Sequence, residues 1–233
     1  MNKLLKTLLT NVVKLVVSSA TVVTLLGATT AVNAQDIKGD AKVGQSKAAM
    51  CIGCHGIVGY QASFPEIYKV PKISGQGAKF IVSSLNAYKK GERKHPSMRG
   101  IAESLSDQDM ADLADYYSTH GGVEGATLAA KPSKEPSPQV ATLLKKAACI
   151  SCHGENFAKP ISPDYPKIAG QHADYLYVAL KAYKTENNAQ IGRSNGVMAG
   201  MVKQYSSAEL KEMAKYIGSI DGDLKTVPQS KFR

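Results

Sequence analysis

The sequence predicts an all-α protein built from two tandem domains, each of about three main helices. Three observations carry this. Four blocks of residues recur in the same order in the two halves; apolar residues fall at helical spacing behind capping serines; and no run of strand-type alternation is present. The 233 residues suit two small domains better than one average one.

The repeat comes first in the argument. Met50-Cys51-Ile52-Gly53-Cys54-His55-Gly56 faces Ala148-Cys149-Ile150-Ser151-Cys152-His153-Gly154. Pro71-Lys72-Ile73-Ser74-Gly75-Gln76 faces Pro166-Lys167-Ile168-Ala169-Gly170-Gln171. Leu85 to Lys89 then matches Leu180 to Lys184, and Leu105 to Met110 matches Tyr205 to Leu210. Such order marks a tandem duplication. Between the halves, Lys131 to Pro138 carries Pro132, Pro136 and Pro138, which makes an extended, semi-rigid connector. The expected boundaries are 35–125 for the first domain, 126–138 for the connector and 139–233 for the second domain.

Within each half a short helix leads into the cysteine motif, Val43 to Met50 and Val140 to Ala148. A middle helix follows at about 78–90 and 173–184. The third begins at Ser106 and Ser206, each with an acid three residues on (Asp109, Glu209), the pattern of a capping box. Beyond them Met110, Leu113, Ala114 and Tyr117, and Leu210, Met213, Ala214 and Ile217, share one helical face.

The first residues read as an export signal. Lys3 and Lys6 precede an apolar run from Leu15 to Ala31, and Val32-Asn33-Ala34 places small residues at a cleavage position, so residues 1–34 are expected to be removed in the periplasm. Ser18, Ser19, Thr21 and Thr24 interrupt the run, which suits a signal better than a membrane anchor. The formal charge is +10, with the larger basic excess in the second half. No basic stripe interleaved with aromatics accompanies it, so nucleic acid is not an expected partner.

All four cysteines lie in two copies of Cys-x-x-Cys-His, the signature of covalent c-type haem attachment. Two thiols three residues apart can each add to one vinyl group on the same porphyrin edge, and the adjacent histidine is then held beneath the ring. Cys51 and Cys54 are expected to carry one haem c, with His55 on its iron; Cys149, Cys152 and His153 are expected to do the same for a second. A thiol-disulfide site needs no histidine, a structural disulfide leaves the duplicated histidine unexplained, and a Cys₄ zinc site would have to unite cysteines from separate repeats.

A carrier iron normally takes a sixth ligand, and a methionine thioether raises its potential. Met98 and Met198 stand at equivalent positions, each in a loop expected before the third helix. Met201 competes with Met198, but its counterpart is Ile101, which cannot bind iron. Met110 and Met213 read as core. The backbone carbonyls of Pro71 and Pro166 are the expected acceptors for the second ring nitrogen of each histidine. Gln76, Gln171, Tyr88 and Tyr183 recur in both halves and are candidates for contacts to haem propionates. His95, His120 and His172 lack histidine counterparts and read as surface or loop residues.

These motifs together resemble the di-haem cytochrome c4 family: the export signal, the paired haem motifs, Pro-x-Ile-x-Gly-Gln after each, and the methionine followed by Leu-Ser-Asp-x-Asp-Met-Ala-Asp-Leu-Ala-x-Tyr-Tyr in the first half. The resemblance covers essentially residues 35–220. It implies two cytochrome c domains related by a pseudo-two-fold axis, and a periplasmic carrier passing electrons from a respiratory donor complex to a terminal oxidase. The second half departs from it at Tyr205 to Glu209 and in the longer Asn-rich approach from Thr185 to Gly196.

The expected chemistry is one-electron transfer with no substrate of its own, through transient redox-protein partners and compatible with peripheral membrane association. A second reading is the cytochrome subunit of a periplasmic oxidoreductase complex, such as one resembling flavocytochrome c sulfide dehydrogenase. A di-haem peroxidase is a third, and the paired methionines oppose it because a peroxidase needs an open iron site.

Overall fold

In this computed structural model residues 37–122 and 127–228 are described; the expected signal segment 1–34 and residues 123–126 of the domain boundary lie outside them. The first repeat runs α1 (Ala41–Lys47), α2 (Ala49–His55), β1 (Gln61–Ala62), β2 (Tyr68–Lys69), α3 (Ala78–Lys89), β3 (Arg93–Lys94), α4 (Pro96–Glu103) and α5 (Asp107–Thr119). The second runs α6 (Pro138–Lys146), α7 (Ile150–His153), α8 (Ala173–Ala182), β4 (Gly192–Arg193), α9 (Gly196–Val202) and α10 (Ser207–Ser219). The fold is all-α, with extended pairing among the described residues confined to two-residue strands and an isolated bridge between Ser74 and Lys225.

The third helix of each repeat begins where the capping serines place it. Ser106 Oγ accepts from the Asp109 amide at 3.1 Å while Asp109 Oδ2 accepts from the Ser106 amide at 2.9 Å. Ser206 and Glu209 repeat the arrangement at 3.3 and 2.7 Å. Two orphan amide groups are satisfied in each helix start, which fixes the register of its apolar face. That face is the core. Met110, Leu113, Ala114 and Tyr117 are buried in one repeat, and Leu210, Met213, Ala214 and Ile217 in the other. Full burial of a side chain of this size contributes about 1.5–3 kcal/mol.

The helices before the cysteine motifs differ from expectation. In the first repeat the chain breaks at Ala48, so α1 and α2 are separate; in the second it breaks at Ala148, which adopts φ +48°. The break turns the cysteine motif away from the preceding helix and towards the interior. Each repeat also contains a short helix where a loop is expected: α4 and α9. Gly75 and Gly170, at φ +84° and +67°, sit at matching turns and donate their amides to the carbonyls of Tyr117 and Ile217, tying the haem-motif side of each repeat to its third helix.

The repeats meet in a symmetric interface. β3 and β4 pair antiparallel, and Gln76 and Gln171 each reach across to the other repeat's backbone. The Lys69 amide donates to Asp174 at 3.0 Å, and Lys181 pairs with Glu66. The proline-rich connector is strapped to the second repeat: the Tyr216 hydroxyl donates to the Lys134 carbonyl and the Asp221 amide to Ser133 Oγ, both at 2.8 Å. Among the described residues no helix is long and apolar enough to cross a membrane.

Candidate functional site

Both cysteine motifs open onto one continuous cavity of about 950 Å³. All eight residues singled out from the sequence line it: Cys51, Cys54, His55 and Met98 from the first repeat, and Cys149, Cys152, His153 and Met198 from the second. Cys51, Cys54 and His55 lie on α2; Cys149 caps α7, which ends in Cys152 and His153. No disulfide joins any of the four cysteines. Burial pushes the Cys51 thiol up, and Cys149 up to about 11, since each sulfur faces the apolar interior.

The histidines repeat one geometry. His55 Nδ1 lies 2.7 Å from the Pro71 carbonyl oxygen, and His153 Nδ1 lies 3.0 Å from that of Pro166. A carbonyl can only accept, so each Nδ1 carries the proton and donates it, and each Nε2 keeps its lone pair. These are the carbonyls that open the block shared by both halves. Burial lowers the pKa of both rings, with the carbonyl bond opposing it more weakly, so both imidazoles are neutral and able to ligate a metal.

The methionines are also placed alike, though not in a loop. Met98 stands in the first turn of α4, its amide on His95 Nδ1 at 3.4 Å; Met198 stands in the first turn of α9, its amide on Asn195 Oδ1 at 2.9 Å. Met201 lies one turn further along α9 and is 42% exposed. His95 stands in the loop before α4, as expected, and also caps that helix and bonds the Tyr68 hydroxyl at 3.0 Å. The Pro at the first helical position after His95, and Asn195 before an apolar run, were the signals that could have revealed both helices. His120 bonds Ser74 Oγ at 2.9 Å, and His172 precedes α8.

The cavity itself argues for a large guest. Native interiors leave few voids bigger than a water molecule, so an apolar space of this size within so small a protein is a binding site and not a packing defect. Two buried tyrosine hydroxyls, Tyr117 and Tyr205, line it, and among the described residues neither meets a nitrogen or oxygen partner. They do not occupy matching positions: Tyr117 faces Ile217 in the duplication, and Tyr205 faces Leu105. Each repeat thus brings a single such hydroxyl to its own first cysteine by a different route. Among the described residues no three His, Cys, Asp or Glu gather as a metal cluster, so the cysteines are not assembled as a Cys₄ zinc site would require. Neutral imidazoles with a free Nε2, paired thiols at fixed spacing and an apolar cavity all fit a porphyrin.

Comparison with known proteins decides the family. The family model described as cytochrome c matches residues 41–120 and again 139–221. Cytochrome c4 of Azotobacter vinelandii is 31% identical over 195 residues, covering 77% of this chain and 88% of that one. The chain belongs to the cytochrome c family, among the cytochromes c4. A crystal structure of reduced recombinant cytochrome c4 from Pseudomonas stutzeri aligns with a TM-score of 0.58 at 27% identity, covering 78% of this cytochrome and all of that chain. A protein of Thiomonas intermedia named thiosulfate dehydrogenase electron acceptor is 26% identical over 191 residues, covering 74% of this chain and 79% of its own. The cofactor of this cytochrome c4 relative is haem c, two groups covalently bound at the two Cys-x-x-Cys-His motifs, and the protein is a di-haem electron carrier.

Proposed function

We propose that this cytochrome is a periplasmic one-electron shuttle that receives electrons from a respiratory donor and delivers them to a terminal oxidase. Cys51 and Cys54 hold the first haem and Cys149 and Cys152 the second. His55 with Met98, and His153 with Met198, are the axial pairs. The domains run 35–125 and 139–233, joined by 126–138, after removal of a signal at 1–34.

A bound haem supplies an iron that alternates between ferrous and ferric. The chain's part is to keep the surroundings constant while it does so. The observation that carries the reading is the repeated histidine geometry, with Nδ1 held by the carbonyls of Pro71 and Pro166 at 2.7 and 3.0 Å. That bond fixes the tautomer, aims Nε2 into the cavity and limits ring rotation, so little has to reorganise on electron transfer. The matched first-turn positions of Met98 and Met198 support a thioether on the opposite face in both repeats, and a carrier with both faces occupied has no open site for substrate.

A second reading is favoured by the Thiomonas relative's name: an electron acceptor that serves one periplasmic dehydrogenase, a role close to the cytochrome-subunit alternative seen in the sequence. The test is purification from a haem-attaching host, with mass spectrometry and reduction kinetics against candidate partners. The shuttle reading expects a mass gain of two porphyrins, transient complexes and salt-dependent oxidation by a membrane oxidase fraction. A complex with a dehydrogenase that survives purification, with no oxidase reactivity, would replace it with the second reading.

A further inference from the structure

The segment leading into each methionine helix carries an arginine, Arg93 in the first repeat and Arg193 in the second. They occupy equivalent positions in the duplication, and the β3–β4 ladder sets them directly opposite one another. Both line the cavity that the haem motifs open onto. Like charges facing each other across an antiparallel pair are destabilising, and both side chains are half-buried.

Aromatic side chains from the middle helices box in the two guanidinium groups. Arg93 lies 5.1 Å from the Phe80 ring centroid and 5.7 Å from that of Tyr88. Arg193 lies 5.3 Å from the Tyr183 centroid and 5.7 Å from that of Tyr175, and donates to the Tyr175 hydroxyl at 3.0 Å. Ring faces offset part of the desolvation cost of a cation but do not cancel its charge. Among the described residues, no carboxylate forms an ion pair with either arginine. The other two cationic side chains on the cavity wall are occupied: Lys167 pairs with Asp223 at 2.9 Å, and Lys72 Nζ donates to the Gly170 carbonyl at 2.7 Å. Two opposed guanidinium groups at the junction of the repeats therefore lack an anion.

A haem brings two carboxylates on an otherwise apolar ring. We propose that Arg93 and Arg193 form one shared clamp for the propionates of both haems, each cation facing carboxylates from both sides of the interface. The clamp makes the two irons electrostatically dependent on the same pair of charges. This inference rests on the two-haem reading and goes beyond it by assigning residues and coupling.

The test is a redox titration of the purified di-haem protein and of Arg93→Gln, Arg193→Gln and Arg193→Lys. A cation beside a propionate favours the reduced iron. Each Gln variant is expected to lower the midpoint potentials of both haems, by a roughly tenfold loss in each reduction equilibrium, about 59 mV for a one-electron couple. Arg193→Lys is expected to retain most of the wild-type values. The clamp is overturned if a Gln variant that still carries two porphyrins by mass shifts one haem alone or neither. Should Arg193→Gln fail to fold, Arg93→Gln and Arg193→Lys decide the matter. A wild-type protein without two porphyrins would sink the haem reading itself, and mass spectrometry shows that before any titration.

Discussion

Gln76 and Gln171 make the same bonds in opposite directions. Gln76 takes the Lys167 amide on Oε1 and gives Nε2 to the Lys167 carbonyl, both at 2.9 Å; Gln171 does the same with Lys72, also at 2.9 Å. Each Oε1 also accepts its own following amide, from Gly77 and His172, at 3.0 Å. The glutamines bind the interface, and both also line the cavity. Replacing Gln76 or Gln171 with Leu leaves a lysine amide and carbonyl unpaired at that interface, so each single change should cost about 1–3 kcal/mol in denaturant unfolding. Unaltered unfolding midpoints for both would show that these bonds do not hold the repeats together.

The methionine assignment separates by residue. Met98→Leu and Met198→Leu should each remove one thioether-to-iron charge-transfer band and lower one haem's potential, whereas Met201→Leu should leave both bands in place. Optical titration of the three variants checks this, and loss of a band in Met201→Leu would reassign the second-domain ligand.

Pro71 fixes the backbone angle that presents its carbonyl to His55. Pro71→Ala should loosen the 2.7 Å bond, make the imidazole a weaker donor to iron and raise the potential of the first haem only. Equal shifts on both haems, or none, would speak against a local effect of this carbonyl.

The first repeat carries an acid-sensitive tie. Asp112, with its side chain 3% exposed, accepts from Lys47 Nζ at 2.8 Å, Gln108 Nε2 at 2.8 Å and the Asp40 amide at 2.9 Å, joining α1 to α5. The Lys47 bond holds the Asp112 carboxyl below the usual aspartate range. A depressed folded-state pKa contributes stability that is present above the unfolded value of about 3.9 and is lost as pH falls below it. Asp109, 2.6 Å from Lys47 Nζ, and then Asp112 raise the Lys47 pKa, so the lysine's contribution persists to the ordinary lysine range and fades only above it. Asp112→Ala should cost about 2–3 kcal/mol near neutral pH, and the cost should shrink below pH ~4. Thermal unfolding across pH reads both; a cost that does not change with pH would remove the electrostatic part of the account.

Gly44 lies where α1 crosses α5. A Cβ there would stand 2.0 Å from the Asp112 carbonyl oxygen, a backbone atom that cannot swing aside. Gly44→Ala should therefore force the helices apart and cost about 1–3 kcal/mol, while Gly53→Ala, whose Cβ meets nothing within 4 Å, should be nearly neutral by the same assay. Similar unfolding midpoints for the two variants would contradict the close crossing.

Much of this protein was legible along the chain because its determinants are local. Spacing alone identifies Cys-x-x-Cys-His as a thioether-and-imidazole site, Ser106 to Asp109 and Ser206 to Glu209 as helix starts, and the duplication as two copies of one wrapper. Pro71 and Pro166 open a block shared by both halves, so their carbonyls stand at the same place after each histidine. What the sequence left open depends on which repeat faces which. Met98 and Met198 lie on short helices whose caps, His95 and Asn195, belong to different residue types, so no repeated pattern drew attention to them. Tyr117 and Tyr205 reach matching places from unmatched positions. Gln76 and Gln171 acquire their roles only when two copies pack together, because the backbone groups they bond belong to the other half of the chain, and Arg93 and Arg193 come face to face only in that packing. Periodicity and motif spacing record what a segment does with its own neighbours. Only the tertiary structure decides which polar groups remain for a contact across the interface, since that follows from where burial leaves a donor, an acceptor or a charge without a partner.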